Sequence, residues 1–115
     1  MNTEEEIQSK GLTAPRVTPA DIQGAIASEH YFTATDALVG HTRGPEWQAT
    51  PSALDRLTFC VLVLRNGFTV TGESACASPE NFDAEIGRKI ARRNAEEKIW
   101  PLLGFRLRDQ ICGVN

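Results

Sequence analysis

Residues 57–77, LTFCVLVLRNGFTVTGESACA, carry the clearest structural signal in the chain. Two runs rich in β-branched and aromatic residues flank Asn66-Gly67. Asn-Gly between such runs is the strongest short-range signal for a β-hairpin, because a type I′ turn needs positive φ at both central residues. A two-residue turn also sets the register: it pairs Arg65 with Phe68, Val63 with Val70, Val61 with Gly72 and Phe59 with Ser74. On the first strand Phe59, Val61 and Val63 point one way while Cys60, Leu62 and Leu64 point the other, so both faces are apolar and both need cover. Two strands alone are marginal in water. Helices must pack on the hairpin, and a chain of 115 residues offers about three of them. A second copy is the economical further cover, so the pattern predicts at least a homodimer.

C-terminal to the hairpin, Ser78-Pro79-Glu80 reads as a helix start, with a cap, a proline in the first turn and a carboxylate near the positive helix end. Phe82, Ile86, Ile90, Ala91, Ala95 and Ile99 then form an apolar stripe, and Pro101 is expected to end the helix. Gly87 costs about 1 kcal/mol relative to alanine inside a helix, which suggests close approach by another backbone. Asn94 carries an amide near the apolar side, where a neighbouring backbone group and a ligand are equally good partners. In the tail, 101–115, Phe105 and Leu107 alternate with Arg106 and Arg108, a pattern that fits either a third short strand or a final helical turn.

N-terminal to the hairpin, VTPADIQGAIASEHYF opens with Thr18 as N-cap, Pro19 at the first helical position and Asp21 three residues after the cap. Ile22, Ala25 and Ile26 give a stripe that ends near His30. Gly40 to Ser52 holds two glycines, two prolines and the isolated Trp47, and reads as a long connector. The expected organisation is a single α+β domain: a mobile lead or frayed short helix (1–16), a helix and connector (17–56), a β-hairpin (57–77), a helix (78–100) and a tail (101–115). Its centre is an antiparallel sheet packed against a long C-terminal helix, with an N-terminal helix, in an oligomer.

The length, the 12.6 kDa mass, and hydrophobic and charged fractions of 41% and 23% are those of one globular domain. No run reaches the roughly 20 apolar residues of a membrane span, and the acidic start MNTEEEIQSK is no secretory signal, so a soluble cytoplasmic protein is expected. Cys60, Cys76 and Cys112 form no C-x-x-C pair, and read as small buried hydrophobes rather than disulfide or zinc ligands. His30 and His41 lack metal-ligand spacing, and the fingerprints of serine hydrolases, P-loops and dinucleotide folds are absent. Thr71 to Cys76 brings Ser, Cys and Glu together, but with no histidine near in sequence. Neither catalysis nor a metal or cofactor is expected.

Binding remains. The formal charge of −3 is uneven: residues 1–55 are acidic, whereas 86–108 carry Arg88, Lys89, Arg92, Arg93, Lys98, Arg106 and Arg108 against Glu96 and Glu97. An acidic chain with one arginine-rich segment suits a small anionic ligand or the acidic half of a partner chain better than a nucleic-acid duplex. A solvated helix face with Arg92–Glu96 and Arg93–Glu97 pairs is the alternative. Phe68 and Phe82 beside Arg88 and Arg92 meet the requirement for a nucleotide, since a base stacks on an aromatic ring and phosphates take forked hydrogen bonds. Arg88 and Arg92 lie one turn apart, roughly 6 Å along the axis, so each can reach one phosphate of a diphosphate. Arg65, Arg106 and Arg108 are the reserve candidates.

The string FCVLVLRNGFTVTGESACASPENFDAEIGRKIARRNAEEKIWPLLGF closely resembles the phage family known by its gene 49 and gene 66 members, over residues 57–105. RVTPADIQGAIASEHYFTA is similar to the helix that precedes that core in many members. The core also resembles the Thoeris anti-defence sponge proteins of the first type, which sequester the nucleotide signal made by bacterial TIR enzymes. That resemblance implies a non-catalytic phage protein of the host cytoplasm that binds glycocyclic ADP-ribose, or cyclic oligonucleotides at separate sites. It implies a homodimer or a hexamer built as a trimer of dimers. Carried onto this sequence, it points to Phe82, Arg88, Arg92 and Asn94, with Asn66 to Phe68 as a second wall. Arg92-Arg93 departs from the expected basic or neutral residue followed by an acidic one, and raises the local positive charge. The competing expectation is a phage accessory protein acting on a host factor by protein–protein contact.

Overall fold

A computed structural model describes residues 3–12, 14–41 and 51–113. Among these, β2 (Leu57–Leu64) is the centre of a three-stranded antiparallel sheet, flanked by β1 (Ile26–Thr33) and β3 (Thr69–Ala75). Helix α1 (Thr3–Ser9) and α2 (Pro19–Ala25) precede the sheet, α3 (Ala34–His41) follows β1, and α4 (Ala84–Glu97) and α5 (Ile99–Cys112) follow β3. Short 3-10 turns at Ser52–Arg56 and Pro79–Asn81 lead into β2 and α4. The fold is therefore α+β, a hairpin-centred sheet packed by a C-terminal helix, as the sequence implies. The connector around Trp47 lies outside the described residues.

The hairpin is shifted by one residue from the expected register. Val63 faces Thr69, Leu62 faces Val70 and Cys60 faces Gly72. The turn is the three-residue Arg65-Asn66-Gly67: the Gly67 amide donates to the Leu64 carbonyl at 2.9 Å and the Leu64 amide to the Phe68 carbonyl at 2.8 Å. Only Gly67 in the turn has positive φ, 88°, while the Asn66 carboxamide oxygen accepts from the Phe68 amide. A helical turn closed by one left-handed glycine is the common three-residue solution, and it leaves Asn66 unstrained. Because side chains alternate along a strand, the slip decides which faces meet. Val70 and Gly72 join Thr58, Cys60, Leu62 and Leu64 on the buried face, while Phe59, Val61 and Val63 are half-buried on the other.

The third strand comes from the N-terminal side. Helix α2 begins as the sequence predicts, with a capping box in which Thr18 Oγ1 accepts from the Asp21 amide and Asp21 Oδ2 from the Thr18 amide. It ends at Ala25, however, and the residues expected to continue it to His30 enter the sheet as β1, with a register irregularity between Ile26 and Ser28. Tertiary pairing with the unfilled edge of β2 outweighs a short helical stripe here. Thr33 and Asp36 repeat the same reciprocal cap at the start of α3.

The C-terminal helix divides in two. Asp83, not Ser78, is the N-cap of α4, accepting from the Ile86 amide. Helix α4 stops at Lys98, and Pro101 lies in the first turn of α5, where the missing N–H costs no helical bond. The tail is therefore helical to Cys112. The buried edge of α4 is Gly87, Ala91 and Ala95, continued by Ile99 and Leu103 of α5, while Ile86 is exposed and Ile90 half-buried. These small residues let α4 settle onto β2 and β3. The backbone contact expected at Gly87 belongs to Gly72 instead: a Cβ there would lie 2.2 Å from the Ala91 carbonyl oxygen and 2.3 Å from the Ala95 nitrogen. Gly87 faces the Thr58 hydroxyl and the Phe82 ring. Of the cysteines, only Cys60 is fully buried; Cys76 is half-buried with its thiol donating to the Ser78 carbonyl, and Cys112 is exposed.

Candidate functional site

A cleft of about 670 Å³ opens between α2, the hairpin turn and α5. Its floor is apolar, built from Val17, Leu64 and Leu103. Three arginines stand around it, each placed by a different element: Arg16 ahead of the α2 cap, Arg65 in the hairpin turn and Arg106 on α5. On α5 the spacing Leu103, Arg106, Leu107, Gln110 keeps these residues on one helix face, so the alternation that left the tail ambiguous resolves into a helical stripe. Arg108 is exposed and off that face.

The turn geometry aims the remaining polar and aromatic groups. The Arg65 Nε donates to the Gly24 carbonyl at 2.5 Å, which ties the turn to α2 and leaves its Nη groups without a partner among the described residues. Arg106 has no ion pair there either. Phe68, 56% exposed, leaves the strand at the cleft wall beside Asn66. Asp21 is the cleft's acidic residue and already accepts from the Thr18 amide. An open, net positive hollow with an exposed ring offers the guanidinium donors and the flat apolar face that an anion carrying a planar group would need.

The six residues expected to bind do not share one site. Asn66 and Phe68 line the cleft. Phe82 lines a separate hollow of about 290 Å³ with Cys76, Asp83 and Ile86, and no Lys, Arg or His stands among its described lining residues. Arg88 is exposed on α4 without a partner among the described residues. Arg92 is committed inside the protein: its Nε donates to Glu29 at 2.8 Å, one Nη to Gln23 at 3.1 Å and the other to Glu96. Desolvation works against its charge, but the Glu29 and Glu96 carboxylates outweigh it and hold the guanidinium pKa above its ordinary value. Of the two expected i,i+4 pairs, Arg92–Glu96 forms and Arg93–Glu97 does not. Asn94 donates to the Glu73 carbonyl at 2.8 Å, the backbone alternative of its two expected partners.

The model of the phage protein (N4 Gp49/phage Sf6 gene 66) family matches residues 17–111. The chain belongs to this phage family. Neither the curated proteins nor the solved structures gave a match. The family segment takes in the whole sheet, α4 and nearly all of α5, and with them Arg65, Phe68 and Arg106, whereas Arg16 and α1 precede it. Arg16 is the cleft residue that no local pattern singled out, because its place there depends on α2 and α5 meeting around it. Arg65 and Arg106 carried a weak signal, an unpaired arginine beside a turn and another within an apolar repeat. Among the described residues no cluster of His, Cys, Asp or Glu could hold a metal ion, and no helix is long and apolar enough to cross a membrane.

Proposed function

We propose that this phage protein binds a cyclic nucleotide immune signal, glycocyclic ADP-ribose or a cyclic oligonucleotide, and sequesters it in the host cytoplasm without degrading it. The observation that carries the reading is the cleft with Arg16, Arg65 and Arg106 around the exposed Phe68. Phosphates take the guanidinium groups and the base stacks on the ring. No Ser, Cys or His stands among the described cleft residues, and Asp21 is engaged in a helix cap, which favours holding a ligand over cleaving it. Half-buried Phe59, Val61 and Val63 on the second sheet face favour a homodimer, from which a trimer of dimers can be built.

The test is direct. The protein is incubated with glycocyclic ADP-ribose and a panel of cyclic oligonucleotides, free ligand is followed by chromatography, and the protein is then heated. Depletion followed by release of intact ligand is expected. Altered products would make the protein an enzyme, and undepleted ligand across the panel would reject the sponge reading. A second reading, contact with a host protein, is favoured by the exposure of Phe105 (72%) and Ile111 (54%) on α5. It predicts no depletion together with a stable complex that is lost in Phe105→Ser.

A further inference from the structure

Helix α1 buries no residue, and an ion pair ties it to the cleft. Glu4 Oε1 accepts from the Arg16 Nη2 at 2.5 Å, with the two side chains only 20% and 27% exposed. Gln8 Nε2 also donates to that Oε1, at 3.3 Å. The buried Nε of Arg16 has no partner among the described residues. One of the three cleft arginines thus already holds a carboxylate, and the helix that supplies it lies ahead of the family-matched residues.

We propose that Glu4 is an internal stand-in for a ligand phosphate. It occupies Arg16 while the cleft is empty, is displaced when a diphosphate ligand binds, and thereby selects such ligands over those with a single phosphate. The proposal rests on the cleft being the nucleotide site. A carboxylate and a phosphate oxygen compete for the same guanidinium N–H groups, and the phosphate offers more charge and a further acceptor for Nε. With no buried residue in α1, opening the pair exposes no packed core. A ligand with one phosphate is held by Arg65 and Arg106 and leaves the Glu4–Arg16 pair closed. A second phosphate reaches Arg16 and opens it.

ADP-ribose serves as the diphosphate probe and AMP as the monophosphate, each titrated calorimetrically into full-length wild type, Glu4→Gln, Arg16→Ala, the double variant and Arg106→Ala. Glu4→Gln is expected to bind ADP-ribose about fivefold more tightly, the upper end for a partly shielded ion pair. It should leave AMP affinity unchanged. Arg16→Ala is expected to weaken ADP-ribose about tenfold, and removing Glu4 should then have no effect. Amide exchange across residues 3–9 should speed up when ADP-ribose is added to wild type. Unchanged ADP-ribose affinity in Glu4→Gln, alongside weakening by Arg106→Ala, overturns the stand-in and leaves the cleft standing. A gain in Glu4→Gln that persists without Arg16 also overturns it, since a general field effect would then suffice. If wild type and Glu4→Gln both fail to bind ADP-ribose at millimolar concentration, the cleft reading and the stand-in fall together.

Discussion

Replacing Gly72 with alanine should be among the most damaging single-methyl changes available in this protein. Gly72 sits in β3 opposite Cys60, with α4 lying directly across it. The added Cβ would meet the Ala91 carbonyl oxygen at 2.2 Å, the Ala95 nitrogen at 2.3 Å and the Asn94 carbonyl carbon at 2.9 Å. All three are backbone atoms inside a helix, so no rotamer change relieves the contact. The helix must retreat by roughly 1 Å or more to regain van der Waals separation, which loosens the packing of Ala91, Ala95 and Ile99 against Cys60 and Leu62. Overpacking costs about 1–3 kcal/mol when side chains can yield, and the rigid target places Gly72→Ala at or above about 3 kcal/mol. For a chain of this size that lowers the melting temperature by on the order of 10 °C. Gly87→Ala is the matched control. Its Cβ would lie 3.2 Å from the Thr58 hydroxyl and 3.7 Å from the Phe82 ring, both side-chain atoms that can move. The gain in helix propensity, about 1 kcal/mol, offsets that strain, so Gly87→Ala should be nearly neutral. Thermal and urea unfolding of both variants decide the matter. Gly72→Ala melting within a degree or two of wild type, or Gly87→Ala proving the more damaging, would refute the account of how α4 meets the sheet.

Arg65→Ala and Arg106→Ala should each weaken nucleotide binding by roughly tenfold to a hundredfold, the effect of one charge-assisted contact, while Arg88→Ala leaves it unchanged; calorimetric titration checks all three, and the reverse ranking would return the site to α4. Arg92→Ala should instead cost about 1–2 kcal/mol of stability in urea unfolding, because it removes the link from α4 to Glu29 on β1 and Gln23 on α2. Burial, then the neighbouring Cys60 thiol and Glu29 carboxylate, push the Tyr31 pKa from its ordinary 10.0 up to about 12. The folded state thus favours the neutral phenol, a contribution fully present below pH 10 and lost as pH rises from there through about 12. Wild type should therefore lose melting temperature across that window more steeply than Tyr31→Phe, and parallel profiles would show that Tyr31 does not couple to folding.

Features under local chemical control were readable from the residues alone. Asn-Gly between two β-branched runs specified the hairpin, the Thr18–Asp21 pair specified where α2 starts, and the apolar repeat after Phe82 specified a helix. The same T-x-x-D pattern recurs at Thr33 and Asp36, where the sequence reading expected no helix and the structure starts α3. How these pieces are used depends on long-range packing. Asn-Gly is compatible with two- and three-residue turns, and the register was settled by which face of β3 could accept α4, a choice that puts Gly72 under Ala91 and Ala95. Residues 26–33 carry a mixed pattern, and the open edge of β2 made them a strand. Pro101 stops a helix or starts one equally well, and the break at Lys98 fixed its role. The candidate site was divided in the same manner: Asn66 and Phe68 are placed by the turn, but which arginines face them depends on the packing of α2 and α5, a long-range contact that no local spacing encodes. Arg92, which helical spacing makes a natural phosphate ligand, is instead consumed by acids brought from β1 and from its own helix.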